Sequence, residues 1–325
     1  MEDGKAGRKA TLVLLANLGG AALGYVALLL IGRYFAPAAY GSFLFALSVA
    51  GIVSLVSNLG LGVAHQRHVA QGTPVAAGLG VLVRIRAALA AAVLALLGLG
   101  YAAYTQLLGK EITDATTPLV LGVALTIQVL SGARQVLLDT WQGLQQVNRV
   151  ESIRLLDTTL ALALLGNAAL LLAHLEGRWE VLPGVGAFWA DRLGWTAPPT
   201  APAAAALLAG CYLVAKVTTL AVAFAWSLGD RLRIAAWDPA LARSYARLAL
   251  PFALTGTLAL VLQYTDTVML TFFWTPHETG LYGVAQKLST VCLLAASAVG
   301  AMLFPRFARL RALGDRGREA RTFAA

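Results

Sequence analysis

Long apolar runs alternate along this chain with short polar segments that carry nearly all of its charge. Each run stays free of Asp, Glu, Lys and Arg for about the 17–25 residues that a helix needs to cross a bilayer core, except the second, which is longer because its link is uncharged. Pro and Gly in the shorter links, as in "APAAYG" and "TPHETG", end one helix and begin the next. The pattern predicts eight spans, at approximately 11–34, 42–64, 82–104, 117–138, 155–175, 203–228, 248–273 and 281–304.

The composition agrees with an all-α, polytopic membrane protein. Of the 325 residues, 58% are hydrophobic and 13% are charged, and the mean hydropathy is +0.72. A soluble domain is about half apolar and about a quarter charged. The net charge of +9 does not indicate a nucleic-acid partner, because no basic cluster is interleaved with aromatic residues in a polar domain. Basic residues that flank membrane spans explain this charge better.

Basic residues are distributed unequally between the two sides of the predicted spans. If the N-terminus is cytoplasmic, nineteen Lys and Arg residues lie in inside segments and four lie in outside segments. The positive-inside rule therefore predicts a multi-pass protein of the cell membrane (plasma or inner membrane) with both termini in the cytoplasm. The longest outside link, 176–202, is rich in Trp, Pro and Gly. We expect it at the headgroup surface, with a lid over a binding site as the alternative.

One helical corner occurs twice in the chain. The stretches "RYFAPAAYGSFLFAL" (33–47) and "FFWTPHETGLYGVAQ" (272–286) align without gaps after a shift of 239 positions. Pro37 and Gly41 of the first copy then match Pro276 and Gly280 of the second. Both copies run from inside to outside and back, so the pattern predicts a parallel repeat. The first six helices form an N-terminal lobe over 1–228, and 229–325 holds the first two helices of a second lobe and a basic tail. Chance recurrence of a generic turn is the alternative.

Few polar side chains lie inside the predicted spans, where such groups usually face a cavity or a partner. Lys216 in the sixth helix and Lys287 in the eighth are candidates to hold anionic cargo as point charges. Asp266 and Gln263 share one face of the seventh helix, and Asn17 lies in the first. We expect Lys216 and Asp266 to line a cleft between the lobes. A buried ion pair between them that locks the helices together is the alternative.

Simpler interpretations exist for some of these residues. Lys287 can extend its amine to the outer interface, and Asn17 can form a hydrogen bond across helices. Arg84 and Arg86 begin the third span from the inside. Topology explains both arginines, and contact with an entering phosphate group is the alternative.

The sequence does not favour an enzyme. No acidic pair of the DDxxD type occurs at a membrane edge, and the four His residues show no metal-ligand spacing. The run "GLGVLV" (78–83) is not a phosphate-binding loop, because no GK[ST] follows it. We therefore predict no catalytic residue, no metal and no cofactor.

Three stretches resemble the polysaccharide biosynthesis membrane proteins, which are lipid-linked oligosaccharide flippases of the MATE-like multidrug/oligosaccharidyl-lipid/polysaccharide superfamily. The opening hairpin carries "FAPAAYG" and then "NLGLGVAHQR", and "DTWQGLQQVNRVESIR" (139–154) is similar to the family's cytoplasmic link. The stretch "LPFALTGTLALVLQYTDTVMLTFFWTPHETGLYG" is similar to its seventh and eighth helices and includes Asp266. Members usually carry two complete lobes, so the resemblance implies that this sequence is incomplete at its C-terminus.

The resemblance implies a transporter that makes no covalent bond. The expected cargo is a polyprenyl-pyrophosphate-linked oligosaccharide, moved from the inner to the outer leaflet by alternating access for the synthesis of cell-surface polysaccharide. Na⁺ and H⁺ are alternative coupling ions, and the expected partners are membrane lipids and glycan polymerase or assembly proteins. Two alternatives stay open: a cation-coupled multidrug extruder of the same fold, and a non-transporting scaffold subunit of a polysaccharide assembly complex. The two mid-span lysines favour anionic cargo.

Overall fold

The computed structural model describes residues 2–108, 116–178, 182 and 184–289, which form helices and no strand. The helices are α1 (Glu2–Tyr34), α2 (Pro37–Asn58), α3 (Leu61–Ala70), α4 (Val75–Leu108), α5 (Thr116–Gly143), α6 (Val147–Leu175), α7 (Val185–Leu193), α8 (Ala201–Gly229) and α9 (Pro239–Phe273). Residues 276–289 are helical as well. Proline opens several of these helices, because its fixed φ suits the first turn and its missing N–H is not needed there. At the start of α9, the Asp238 carboxylate accepts hydrogen bonds from the next free backbone N–H groups.

The spans agree with a polytopic, all-helical membrane protein, but the predicted count of eight is not confirmed. Among the described residues, five helical segments are long and apolar enough to cross a membrane: Leu15–Tyr34, Val75–Leu96, Pro118–Gly143, Val147–Leu175 and Ala201–Gly229. A sixth exists if Pro239–Leu254 and Gly256–Phe273, bent by 43°, count as one span. Most of the predicted eighth span, from residue 290 to 304, lies outside the described residues.

The second predicted span, 42–64, is broken in the structure. Leu59 and Gly60 have φ values of 26° and 70°, and a right-handed helix does not continue through such residues. The segment therefore divides into α2 and the short α3. Gly60 is also tightly packed, since an added Cβ would lie 2.7 Å from the carbonyl oxygen of Ala249 on α9. The prediction of one continuous span here was wrong.

Helix α5 occupies the centre of the bundle, where it packs against α2, α3 and α8. Helix α6 packs against α1, α7 and α8, and α9 packs against α2 and α3. Trp141 and Ile153 are fully buried where α5, α6 and α8 meet, and Leu82 and Tyr245 are fully buried where α3, α4 and α9 meet. The first cluster packs α5 against α6 and α8, and the second packs α3 and α4 against α9.

The link at 176–202 contains a surface helix, α7, that packs on α6. Trp189 Nε1 of α7 donates a hydrogen bond to Asn167 Oδ1 of α6 over 3.0 Å. Phe188 and Trp189 remain 54% and 37% exposed. Exposed aromatic side chains with one polar anchor are typical of the membrane–water interface, and a headgroup position for this link stays a prediction.

The chain divides into two compact units, Met1–Tyr282 and Gly283–Ala325. The first unit contains α1 to α9, so α9 packs with the helices that precede it. The predicted division between 1–228 and 229–325 depends on the sequence repeat and stays a prediction.

The two copies of the repeated corner contact each other within the first unit. A Cβ added to Gly41 would lie 1.7 Å from the carbonyl oxygen of Pro276, and one added to Gly280 would lie 2.0 Å from that of Pro37. Each glycine therefore packs on the proline carbonyl of the other copy, and only a residue without a side chain fits there. Such reciprocity is the geometry that two copies of a parallel repeat would give.

Candidate functional site

A cavity of about 890 Å³ lies among α4, α5 and α8. Its α4 wall mainly follows the three- and four-residue spacing of one helix face and consists of Leu79, Val83, Arg86, Ala87, Ala90 and Leu94. The wall formed by α8 and the linker after it includes Val217, Leu220, Phe224, Leu232 and Ile234. The volume is within the range of about 300–1,000 Å³ that small-molecule sites usually have. The cavity is thus mostly apolar and large enough for part of an amphiphile.

Arg86 on α4 lines this cavity and pairs with Asp139 on α5. Its Nη2 donates to Asp139 Oδ2 over 2.8 Å, and the two side chains are 9% and 3% exposed. The Nε and Nη1 atoms of Arg86 are also buried, but they have no hydrogen-bond partner among the described residues. Leaving such a donor unsatisfied costs about 1–3 kcal/mol, and more when the group is charged. Arg86 is therefore able to accommodate a second acceptor.

Asp139 is fixed by donors from three helices. Oδ2 accepts from Arg86, and Oδ1 accepts from Gln66 Nε2 over 3.0 Å and from Gln135 Nε2 over 2.9 Å. Helix α3, which carries Gln66, approaches so closely that a Cβ on Gly62 would lie 2.7 Å from Asp139 Oδ2. The carboxylate is satisfied by its neighbours, so it holds the Arg86 guanidinium in one orientation.

A second group of charges connects α5, α6 and α8. Asp157 Oδ2 on α6 lies 2.9 Å from Arg134 Nη1 and 2.5 Å from Lys216 Nζ. Asp157 Oδ1 accepts a hydrogen bond from Thr219 Oγ1 over 3.4 Å. Arg134 also lines the cavity, where its Nε and Nη1 are buried and make no hydrogen bond with the described residues. The contact of Arg134 with Asp157 is therefore ionic, and its N–H groups remain available.

The two groups together carry one positive charge in excess. In their ordinary ionised forms, two carboxylates face three cations: Asp139, Asp157, Arg86, Arg134 and Lys216. An uncompensated charge inside an apolar bundle is costly, and such charges usually mark a functional site. The site thus favours an anion, and the cavity is where an anion can reach the two arginines.

Lys216, predicted from the sequence as a cargo residue, belongs to this site through its contact with Asp157. The alternative of a Lys216–Asp266 ion pair is wrong, because Asp266 Oδ2 instead accepts a hydrogen bond from Tyr282 Oη over 2.9 Å. Asp266 and Gln263 are exposed on α9. A cleft lined by both Lys216 and Asp266 stays a prediction.

The remaining predicted residues lie elsewhere. Asn17 is exposed on α1, and Lys287 is exposed in the second unit. None of the five predicted cargo residues is among the described residues that line the α4–α5–α8 cavity. Their role in holding cargo stays a prediction.

Sequence reasoning did not identify the cavity arginines as a pair. It explains Arg86 by topology, with phosphate contact as the alternative, and it counts Arg134 only as an inside charge. The available signal was on α5, where Gln128, Gln135 and Asp139 recur on one helix face of an otherwise apolar span. That signal identifies a polar face but not the helix that meets it.

A third polar group lies where α3 meets α5 and α9, and its histidine is on α3, which is not one of the candidate spans. His65 is fully buried, and its Nδ1 and Nε2 bond Tyr245 Oη over 2.8 Å and Thr140 Oγ1 over 2.9 Å. Thr140 Oγ1 donates to a backbone carbonyl, so it accepts from Nε2, and the Tyr245 hydroxyl donates to Nδ1. Burial lowers the pKa of His65 to about 4, against the opposing effect of Asp139. This ring is a neutral structural bridge between α3, α5 and α9.

Comparisons with known proteins give no match to a family model, to a curated protein or to a solved structure. Among the described residues, no three His, Cys, Asp or Glu side chains come together as metal ligands.

Proposed function

We propose that this chain is a membrane transporter, or part of one, that moves a polyprenyl-pyrophosphate-linked oligosaccharide from the inner to the outer leaflet by alternating access. The observation that carries the proposal is the excess positive charge held inside an apolar helical bundle by Arg134, Asp157 and Lys216. The cargo combines a long apolar chain with an anionic pyrophosphate and a polar glycan. Its head cannot cross hydrocarbon readily without a protein path. The process requires no covalent step and no catalytic residue.

The repeated corner supports this proposal at the level of the fold. Two glycine–proline corners that pack reciprocally are what a parallel repeat would produce. Transporters built from parallel repeats bind their substrates near the membrane midplane, at the interface between the repeats. Together with the motifs of the resemblance, this architecture favours transport over a scaffold role.

The ion pairs suggest how the charged site would change during transport. Without cargo, Asp157 offsets part of the charge of Arg134 and Lys216. A pyrophosphate competes with Asp157 for these cations, with Lys216 acting as a point charge and Arg134 as a planar donor. Because Asp157 connects α6 to α5 and α8, this exchange alters the packing of three helices. Asp266, exposed beside Tyr282, is the proposed position for a coupling H⁺ or Na⁺.

The proposed orientation has both termini on the cytoplasmic side of the cell membrane. It follows from the excess of Lys and Arg in the segments that would then be inside. Membrane lipids and glycan-assembly proteins are the proposed partners.

Transport can be measured with the purified chain in sealed liposomes that contain a polyprenyl-pyrophosphate carrying a short fluorescent glycan. A membrane-impermeant lectin reports which leaflet holds the glycan. Lys216→Gln removes the excess charge, and Lys216→Glu reverses it, while Arg134 remains to pair with Asp157. We expect transport to decrease in the order wild type, Lys216→Gln, Lys216→Glu, with a loss of about tenfold or more for the reversal.

Arg178→Gln is the matched control, because it also removes one positive charge but at a side chain that is 53% exposed. It should transport at the wild-type rate. Normal transport by a monodisperse Lys216→Glu protein would refute a cationic cargo site. Export of a cationic dye without movement of the glycan lipid would favour the multidrug extruder instead.

A further inference from the structure

We propose that the cavity among α4, α5 and α8 is a binding site for an anionic lipid, with its phosphate on Arg86 and Arg134 and part of one acyl chain against the apolar walls. This inference does not depend on transport of a glycan. It concerns a bound lipid of the phosphodiester class, with one negative charge on the head.

The first step concerns Arg86, whose side chain is more than nine-tenths buried. Asp139 uses only its Nη2, and the buried Nε and Nη1 of this cavity-lining side chain have no acceptor among the described residues. Asp139 is itself held by Gln66 and Gln135, which prevents the guanidinium from turning to satisfy these donors. A phosphate oxygen is the acceptor that a fixed guanidinium binds best.

The second step concerns Arg134 on the facing helix. Its contact with Asp157 leaves Nε and Nη1 without a hydrogen bond, and it lines the same cavity as Arg86. Asp157 keeps Lys216 as a partner when Arg134 turns toward another anion. When a phosphate bridges the two arginines, neither Asp139 nor Asp157 therefore loses all of its cationic partners.

The third step concerns the shape and polarity of the rest of the cavity. Beyond the arginines, the glutamines Gln128 and Gln135, three serines and one glycine, the lining is aliphatic or aromatic, which suits hydrocarbon better than water. Helix α4 packs far less extensively on α5 than α8 does, so a chain can enter between α4 and α5. The linker encloses the cavity on another side, because the backbone N–H of Ala235 donates to Ala76 O over 2.9 Å and Arg84 Nη1 donates to Ala235 O over 2.8 Å.

Charge balance defines the class of head group. The five buried or partly buried charges of the two groups sum to one positive charge, which a phosphodiester neutralises. A zwitterionic lipid has the same phosphate, but its ammonium group would have to lie in the cationic site or remain outside it. We therefore expect phosphatidylglycerol to bind better than phosphatidylcholine of the same chain length.

Native mass spectrometry of the purified full chain in detergent can measure this preference directly. The probes are phosphatidylglycerol, phosphatidylcholine and inorganic phosphate, each added alone and in competition. The wild type should retain phosphatidylglycerol with at least about tenfold preference over phosphatidylcholine, as expected for one charge-assisted contact. Arg134→Gln should remove most of this preference, and Arg178→Gln should leave it unchanged.

Two further variants test the site even if Arg134→Gln impairs folding. Arg86→Gln combined with Asp139→Asn replaces a buried ion pair with two amides and should also remove the preference. Ala87→Trp fills part of the cavity but keeps every charge, and it should weaken phosphatidylglycerol binding. Ala87 lines the cavity and is otherwise exposed, so the larger ring has room.

Equal binding of the two lipids by the wild type, or an unchanged preference in Arg134→Gln and in the Arg86/Asp139 double variant, would overturn the inference. Displacement of the lipid by inorganic phosphate, with no effect of Ala87→Trp, would show an ion site without a chain pocket and would overturn it too. A chain that transports the glycan lipid without any lipid preference refutes only this site. A chain with the preference but without transport refutes only the proposed function.

Discussion

Replacement of Gly41 by Ala is the most direct test of the reciprocal corner. The added Cβ would lie 1.7 Å from the carbonyl oxygen of Pro276 and 2.8 Å from the backbone nitrogen of Gly280. A carbon and a carbonyl oxygen normally approach to about 3.3 Å, so the two corners must separate by roughly 1.5 Å. The atoms that obstruct the methyl group belong to backbone, which cannot turn away as a side chain can. The corner as a whole therefore has to move.

The expected cost is about 1–3 kcal/mol of unfolding free energy, which is typical of overpacking in a close-packed interior. Alanine favours a helix over glycine by up to about 1 kcal/mol, so the net loss of unfolding free energy can be smaller by that amount. Gly122→Ala on α5 is the matched control, because no atom lies within 4 Å of its added Cβ. It should be neutral or slightly stabilising. Unfolding in mixed micelles, followed by tryptophan fluorescence, gives both values.

The double variant Gly41→Ala/Gly280→Ala tests reciprocity as well as packing. Once the first methyl group has separated the corners, the second meets less backbone. The double variant should therefore lose less unfolding free energy than the two single variants lose in total. Contacting sites usually show such coupling at about 0.5–3 kcal/mol. Full additivity, or a Gly41→Ala variant as stable as Gly122→Ala, would refute the contact between the two corners.

Two other changes have expected outcomes that follow from the polar groups. Asp139→Asn leaves the Arg86 charge uncompensated and should lower the unfolding free energy by about 3–5 kcal/mol. Glu176→Gln breaks a partly exposed pair with Arg178 and should lower it by only about 0–1 kcal/mol. Equal losses for the two variants in the same micelle assay would contradict this. Burial lowers the pKa of His65 from 6.5 to about 4, so the unfolded chain binds the extra proton and wild-type stability should fall as pH decreases through this range, by at most about 3 kcal/mol. His65→Gln should lose this slope, and an identical pH profile in both proteins would show that the ring is not buried as a neutral group.

The sequence predicted the helices well where a span depends only on length and hydropathy. The predicted spans 117–138 and 203–228 correspond to α5 and α8, because an uninterrupted apolar run has no other way to satisfy its backbone in a bilayer. The break at Leu59 and Gly60 could not be predicted in the same way. It depends on the close approach of Ala249, which is far away in the sequence.

The match between the two corners could be predicted from the sequence, but their contact could not. Spacing alone matched Pro37 and Gly41 to Pro276 and Gly280, and the parallel repeat that this match indicates stays a prediction. Their mutual contact is a tertiary property, which no comparison of the two segments contains.

The candidate site was predictable only in part, for the same physical reason. Lys216 stands out in the sequence because a charge within an apolar span is costly, but its partner Asp157 is on another helix. Arg86 and Arg134 lie near span ends, where basic residues are common, and only the packing of α4 against α5 and α8 places both at one cavity. Pairing across helices therefore determines which of these charges meet.

The presence of an anionic head group between Arg86 and Arg134 can be seen directly in a cryo-electron microscopy map of the chain in nanodiscs of mixed phosphatidylglycerol and phosphatidylcholine. We predict density for a phosphate within hydrogen-bonding distance of Arg86 Nε or Nη1 and of Arg134, continuous with density for an acyl chain along the α4 face. A cavity closed by its own side chains, or a chain whose head group lies away from both arginines, would contradict it.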